Sequence, residues 1–302
     1  MIEIYNIYTK KELFKYILLK NLPRFLYKYV LRWKYKTHYN SDLDLKNPVK
    51  FSEKLQYIKL YGITNKKKYL SDKLYSKHYV KSLIPEIEIA EVYQTGTSFE
   101  NLNFDKLPNK FILKTNHSWS TNIIIEDKNK LTKKDIKILK KYYDNAIKIN
   151  FAYWSYYELQ YRNIKPQIYA EQLLGNYCSI KDYEVFCFNG IPEFILYRYS
   201  IEIDGYPVNR QVFMNTDWQK LDCHINRNKG EINYISEHKN MIFEYSKILS
   251  KNIDFVRVDF MEVNKKLYFC EMTFTPYSGF YSIYPKEKDI YYGKKLILKK
   301  KF

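Results

Sequence analysis

Glycine is scarce in this chain, with 8 among 302 residues, whereas tyrosine is over-represented at 33. Such a composition excludes a fibrous or low-complexity chain. Cysteine is also rare. Cys178, Cys187, Cys223 and Cys270 have no close paired spacing, so a zinc site of the usual kind is excluded. Three of them stand in strand-like apolar context, and the expectation is reduced, buried thiols of a cytosolic protein. The N-terminus lacks the secretory pattern of a basic start, an uninterrupted apolar stretch and a small-residue cleavage site. Long apolar runs are missing as well. The most apolar N-terminal stretch, 13–33, is broken by Lys15, Lys20, Arg24, Lys28, Arg32 and Pro23, which excludes a membrane span. It reads as a helix packed on the rest of the protein with a solvated basic face. Peripheral contact with an anionic inner membrane surface is the other reading.

Basic and apolar residues, by contrast, are plentiful. Hydrophobic residues make up 46% and charged residues 28%, and 51 Lys and Arg outnumber 33 Asp and Glu, for a net charge of +18. The length allows one large domain or two lobes, either with a sizeable core. The abundance of Lys, Asn, Ile, Tyr and Phe follows AT-rich codons, so the charge partly reflects genome composition. What remains of it favours acidic partners: nucleotides, uronic-acid polymers, nucleic acid or an anionic membrane. No RNA-recognition signature accompanies the lysines, which are dispersed along the whole chain, and no nucleic-acid partner is expected.

The most informative pattern lies near the C-terminus, where two strand-like runs, 253–260 and 267–274, follow one another. By the two-residue period of a strand, Arg257 and Asp259 share a face of the first, and Glu271 and Thr273 a face of the second. A three-residue loop of Asn264, Lys265 and Lys266 pairs Val263 with Leu267 and sets Asp259 opposite Glu271. The other face then carries Val256, Val258 and Phe260 against Phe274, Met272 and Cys270, which suits a core. Facing carboxylates repel unless a cation sits between them or Arg257 neutralises one. Oxygen ligands of this kind suit magnesium, which also takes oxygens from a substrate phosphate. Spacing alone equally allows an ordinary hairpin with a solvated outer face and an Arg–Asp pair.

Along the rest of the chain, residues 1–68 read as a basic helical N-terminal region, with a turn at Asn47-Pro48 and a further helix from Ser52. A helix over 70–82 carries Asp72 and Lys73, Pro85 breaks it, and Ile87, Ile89 and Val92 suggest a strand. Strands at 110–114 and 123–125 form a hairpin around a polar loop, 117–122. A helix follows with Thr132 as N-cap and Asp135 three residues on. An aromatic stretch around Trp154 ends at Pro166 and leads to a strand over 167–174. Further strands are expected at 183–188, 193–199 and 211–215, with a turn at Asn189-Gly190, and a helix at 240–250. Strands and helices do not alternate regularly, which argues for an α+β architecture of two lobes, 69–175 and 176–302, with a cleft between them.

Read in order, Asn47-Pro48, the run Phe51-Ser52-Glu53-Lys54-Leu55-Gln56, Ser71-Asp72-Lys73 and Phe111-Ile112-Leu113-Lys114 are followed by Asp182-Tyr183 and Phe188-Asn189-Gly190. Arg257-Val258-Asp259-Phe260, Glu271-Met272-Thr273-Phe274-Thr275-Pro276 and Ser278-Gly279 complete the set. Each is weak alone. Their order resembles the TupA-like ATP-grasp family of bacterial polysaccharide biosynthesis, whose members are often labelled glycosyltransferases. The resemblance implies a two-lobed ATP-grasp fold with ATP and magnesium in the cleft. Lys73 and Lys114 would hold the phosphates, and the strand with Glu171, Gln172 and Leu174 would read adenine through its backbone. Asp182 would bind ribose, Asp259, Glu271 and Thr273 the magnesium, and Arg257 the acyl-phosphate oxygens. Thr273 stands where the family often has asparagine. The phosphate-covering loop, glycine-rich in ATP-grasp proteins, here reads Asn116-His117-Ser118-Trp119-Ser120-Thr121-Asn122, so the hydroxyls of Ser118 and Ser120 would replace backbone donors.

The activity implied is that of a carboxylate–amine ligase. ATP phosphorylates a carboxylate, and an amine attacks the acyl phosphate. The small-molecule or sugar-acid substrate would belong to a capsule, lipopolysaccharide or teichuronic-type polymer, and the enzyme would be cytoplasmic. The alternative is a glycosyltransferase using a nucleotide sugar, with Asp42-Leu43-Asp44 as an acid-x-acid metal motif; a solvated turn is the ordinary meaning of such a triplet.

Overall fold

The computed structural model describes residues 9–176, 178–225 and 228–299. The chain runs through helices α1 (Lys10–Asn21), α2 (Tyr27–Tyr39), α3 (Phe51–Tyr61), α4 (Asn65–Leu70) and α5 (Lys73–Leu83), then strands β1 (Glu88–Ile89) and β2 (Val92–Gly96). Strands β3 (Phe111–Thr115) and β4 (Ile123–Ile125), helices α6 (Lys133–Ala146) and α7 (Phe151–Trp154) and strand β5 (Ile168–Glu171) follow. The rest comprises β6 (Lys181–Phe188), β7 (Ile191–Ile203), β8 (Tyr206–Met214), α8 (Lys239–Ser250), β9 (Phe255–Val263), β10 (Lys266–Thr273) and α9 (Lys286–Lys295). Thr132 caps α6 as its sequence implies: its hydroxyl accepts from the Asp135 N–H, and the Asp135 carboxylate accepts from the Thr132 N–H.

These strands form two sheets, β2-β5-β3-β4 and β1-β10-β9-β6-β7-β8. In the smaller sheet, Phe111 and Leu113 of β3 and Ile168 and Ala170 of β5 enter a core with α6. Their alternate neighbours, Ile112, Lys114, Tyr169 and Glu171, point the other way and line a cavity. The larger sheet follows the same rule on a larger scale. Tyr183 and Val185 of β6 and Val256, Val258 and Phe260 of β9 pack on α8 and α5. The opposite face begins with Phe186, Phe188, Phe194 and Phe255, packed on α3 and α9, and continues with Asp182, Glu184, Arg198, Arg257 and Asp259 on the cavity. One sheet face is therefore part aromatic core and part charged wall. Helix α3, from the N-terminal region, belongs to this core, with Phe51, Leu55 and Ile58 fully buried. Its Ser52 N–H and hydroxyl donate to Asp289 of α9.

Three hairpins of the larger sheet turn through two residues each, Asn189-Gly190, Asp204-Gly205 and Asn264-Lys265, all six at positive φ. A right-handed strand twist favours this turn. The last of them corrects the sequence expectation: Val263 pairs with Lys266 and not with Leu267. One residue later in the count, a bulge at Cys270 restores the register, so Asp259 still faces Glu271. The bulge also exchanges faces. Phe269 enters the core where Cys270 was expected, and Cys270 lines the cavity. Cys178 is exposed, contrary to the expectation of buried thiols, while Cys187 and Cys223 are buried and all four are free. Among the described residues no helix is long and apolar enough to cross a membrane.

Lys265 holds φ 59° in this turn, a conformation costly for a side chain with a Cβ and free for glycine. Lys265→Gly is expected to raise stability by about 0.5–1 kcal/mol, read as a higher urea midpoint at unchanged slope.

Candidate active site

The cavity between the two sheets has a volume of about 440 Å³. Its lining is of two kinds. Ile112, Ile124, Leu174, Ile180 and Met261 are apolar, while Lys73, Lys77, Lys114, Arg198 and Arg257 face Glu126, Glu171, Asp182, Glu184, Asp259 and Glu271. Five cations thus meet six carboxylates, and the excess positive charge of the chain is not spent here.

The guanidinium of Arg257 is at the centre of the carboxylates. Its Nε donates to Asp259 Oδ1 at 2.7 Å and an Nη to Oδ2 at 2.6 Å. Glu184 lies 3.1 Å from the other Nη, and Glu271 lies 3.7 Å from the Nη that bonds Asp259. The sheet explains this convergence: β9 is flanked by β6 and β10, and Asp259 is in register with both Glu184 and Glu271. Burial pushes the Asp259 carboxyl well above its ordinary range, against the pull of Arg257 and with Glu184 and Glu271 adding to the rise. Glu271 is only partly buried, and Lys73 at 3.2 Å and Arg257 outweigh its desolvation and hold it at about 2. Thr273 donates to Glu271 at 3.2 Å and lies 3.4 Å from Arg257.

Lys73 is the first residue of α5. Asp72 caps that helix, accepting from Leu74 N–H, and Asn116 Nδ2 donates to the same carboxylate at 3.0 Å. The Lys73 ammonium donates to the Ser118 carbonyl at 2.7 Å. One turn on, Lys77 pairs with Glu171, whose other oxygen accepts from Lys114 at 2.6 Å. Burial opposes ionisation of Glu171, yet the two lysines overcome it and lower its pKa. Beyond β5, the Gln172 N–H donates to the Glu91 carbonyl at 2.8 Å, and Leu173 and Leu174 line the cavity. Asp182 is raised from 3.8 to about 6 by burial, with Arg198 opposing and Glu184 adding.

Nine of the twelve residues singled out from sequence therefore line one cavity: Arg257, Lys73, Lys114, Glu171, Gln172, Leu174, Asp182, Asp259 and Glu271. Thr273 joins through its contacts with two of them. Ser118 and Ser120 are elsewhere. The Ser118 hydroxyl is buried in a cluster with Thr115 and Thr121, and Ser120 is exposed with its carbonyl accepting from Tyr142. His117, buried against Phe151, is pushed down to about 4 by desolvation and is neutral at physiological pH.

Sequence reasoning missed Glu184, Arg198 and Lys77. Glu184 is two residues beyond Asp182, on the same strand face, and Lys77 is four beyond Lys73, on the same helix face; either period would have found them. Arg198 donates to Glu184 at 2.7 Å, a cross-strand relation with no signal in the sequence. Asp42 and Asp44 of the alternative metal motif serve a turn. Asp44 accepts from the Lys46 and Asn47 N–H groups, and Asp42 pairs with Lys36.

Behind the Thr273 end of β10, Lys59 and Glu158 are both fully buried. Lys59 donates to the Ser278 carbonyl at 2.7 Å, while Glu158 accepts from Thr275 at 2.6 Å and Ser278 at 3.0 Å. Burial lowers the lysine and raises the glutamate, each opposed by the other.

A cleft between two sheets, with Lys114 and Glu171 on the smaller and Arg257, Asp259 and Glu271 on the larger, is the arrangement of the ATP-grasp fold. Residues 53–297 match the TupA-like ATPgrasp family, and the chain belongs to that family. Among solved structures it is similar to the D-alanine–D-alanine ligase from Bacillus anthracis complexed with ATP, at 18% identity over 80% of this chain and 70% of that one, with a TM-score of 0.48. The D-alanine–D-alanine ligase from Helicobacter pylori is 15% identical over 82% and 69%, with a TM-score of 0.41. The ATP-grasp ligase PsnB complexed with its minimal precursor is 12% identical, with a TM-score of 0.40; the chain spans 54% of its length and 70% of this chain is covered. No curated protein matches the chain.

Lys59→Met removes the hydrogen bond to the Ser278 carbonyl and the positive charge that opposes the burial of Glu158, and a loss of about 1–3 kcal/mol is expected. Calorimetry would check it, and the double replacement Lys59→Met with Glu158→Gln should recover much of the loss.

Proposed function

We propose that the protein is an ATP-dependent carboxylate–amine ligase. The observation that carries this reading is the convergence of Lys73, Lys114, Asp259, Glu271 and Arg257 on one cavity that also has an apolar slot. The apolar side chains and the position of Leu173 and Leu174 on the cavity wall suit a purine, and Asp182 suits the ribose hydroxyls. Lys73 and Lys114 reach the phosphates as point charges once they exchange their protein carboxylates for the nucleotide.

The residues fit magnesium by donor chemistry. Asp259, Glu271 and Thr273 offer carboxylate and hydroxyl oxygens on adjacent strands, and the crowding of Asp259 by two further acids is relieved by added positive charge. Among the described residues no group of three or more His, Cys, Asp or Glu side chains is arranged to hold a metal by itself. When bound, magnesium would neutralise charge on the phosphates. Arg257, displaced from Asp259, is then free to steady the oxygens of an acyl phosphate. Phosphorylation of a substrate carboxylate releases ADP; attack by an amine forms the amide and releases phosphate.

For the substrate, we infer a sugar acid or amino sugar of a bacterial surface polysaccharide, such as a capsule, lipopolysaccharide or teichuronic-type polymer, handled in the cytoplasm. This finer reading rests on family resemblance and on the basic balance of the chain. No observation favours the nucleotide-sugar transferase, since Asp42 and Asp44 are engaged in a turn outside the cavity.

The test is magnesium-dependent binding of a non-hydrolysable ATP analogue, against UDP-sugars, for wild type and Asp259→Asn. Selective ATP binding is expected, with turnover in Asp259→Asn reduced by at least about 100-fold in a folded protein. Preference for a UDP-sugar overturns the proposal. The pH dependence supplies a second check. Because folding raises the Asp182 pKa, its contribution to stability is present at low pH and is lost as pH rises through about 6. Nucleotide binding runs the opposite way, since ribose hydroxyls need the ionised carboxylate as acceptor. Affinity should fall roughly tenfold between about pH 7 and 5, and this dependence should vanish in Asp182→Asn.

A further inference from the structure

Helices α1 and α2 are apolar on both faces. Inward, Tyr16 and Leu19 of α1 and Tyr27, Leu31 and Tyr35 of α2 enter one cluster with Trp154 and Tyr157. Tyr27 stacks on Tyr157 at 3.7 Å between ring centroids, and the Tyr16 hydroxyl accepts from the Asn150 N–H. Outward, Phe14 is 72% exposed, Ile17 and Leu18 55%, Phe25 68%, Tyr29 52% and Trp33 62%. Five of these side chains are on the helix faces opposite the buried residues, and Phe25 is in the turn that joins the two helices. Single exposed apolar residues are ordinary, but these are not scattered. Of the ten large apolar side chains that are more than half exposed among the described residues, six fall between Phe14 and Trp33.

The charge on the same segment is one-sided. Between residues 9 and 39 there are nine lysines and arginines and one acid, Glu12. Lys20, Arg24, Arg32 and Lys36 are exposed among the aromatics. A second protein copy bearing the same patch would bring like charges together, which disfavours self-association. An anionic lipid surface satisfies both halves of the patch. Its headgroups neutralise the lysines and arginines, and the boundary with the acyl chains takes up Phe, Leu, Ile and Trp side chains.

We propose that α1 and α2 form a membrane-docking surface that lies on anionic phospholipid bilayers, with Phe14, Phe25 and Trp33 inserted at the interface and the basic residues on headgroup phosphates. The reading is independent of the reaction assigned to the cavity, from which these side chains are absent.

The experiment is flotation of the full chain with vesicles of phosphatidylcholine alone or with about one-third phosphatidylglycerol. Binding to the anionic vesicles and little to the neutral ones is expected. Phe14→Ser combined with Trp33→Ser should reduce binding by at least about tenfold, as should Lys20→Glu combined with Arg24→Glu and Arg32→Glu. All are surface changes, and far-ultraviolet circular dichroism confirms that the fold persists. A blue shift of tryptophan emission on anionic vesicles, absent in Trp33→Phe, reports insertion. The proposal is overturned if neither vesicle is bound, if the substituted proteins bind as wild type does, or if sedimentation shows a dimer that the Phe14 and Trp33 substitutions dissociate.

Discussion

The guanidinium of Arg257 is the counter-ion on which the site depends. Strand pairing places Glu184, Asp259 and Glu271 side by side on β6, β9 and β10, and three neighbouring carboxylates away from water repel strongly. Arg257 is two residues from Asp259 on the same strand face and closes on it with two hydrogen bonds. Replacing such charges by apolar residues of the same shape would often cost a fold nothing. Keeping them preserves a group of acids whose charge is held by one guanidinium. In the proposed reaction Asp259 and Glu271 would hold a dication whose charge offsets theirs, and the arginine would be available to the phosphoryl group.

The same alternation that builds the core builds this wall. Along β6, Asp182, Glu184, Phe186 and Phe188 share a face, and along β9 so do Phe255, Arg257 and Asp259. Packing of the phenylalanines on α3 and α9 thus fixes how the charged ends present themselves, two residues away on stiff strands. The segment after β10 is held from behind by the buried Lys59–Glu158 pair. That pair ties α3 and the stretch before β5 to the loop that leaves the acid-bearing hairpin.

How much of this was legible in the sequence depended on the range of the interaction. Local signals read well: the Thr132–Asp135 cap, the hairpin of β3 and β4, and α8 all follow from residues within a few positions of one another. The opposition of Asp259 and Glu271 also read well, although the loop was one residue too long in the reading and the bulge at Cys270 was not foreseen. The two differences cancel, because register shifts in opposite directions by one residue leave the pairing beyond them unchanged. Arg198 escaped notice because its partner Glu184 is fixed only when β6 pairs with β7. The loop 116–122 read as polar from its residues and as phosphate-facing only through the family resemblance, yet Thr115, Ser118 and Thr121 satisfy one another in a buried cluster. Hydroxyls carry no sign of whether they will meet a ligand or each other.

Net charge was legible as a number but not as a location. The cavity is lined by five cationic and six anionic side chains, so a formal charge of +18 must act on the outer surface. Attraction of a free nucleotide by the long-range field is therefore not focused at the cleft, and a nucleotide arriving with its counter-cation meets a wall whose charges already balance. The segment of α1 and α2 holds nine of the 51 basic residues with a single acid, and the aromatic side chains among them are exposed. Fields of this kind fall off within about 10 Å at ordinary ionic strength, so they matter most where a partner comes into contact with the surface. A broad anionic surface touches many such charges at once; a small nucleotide touches few.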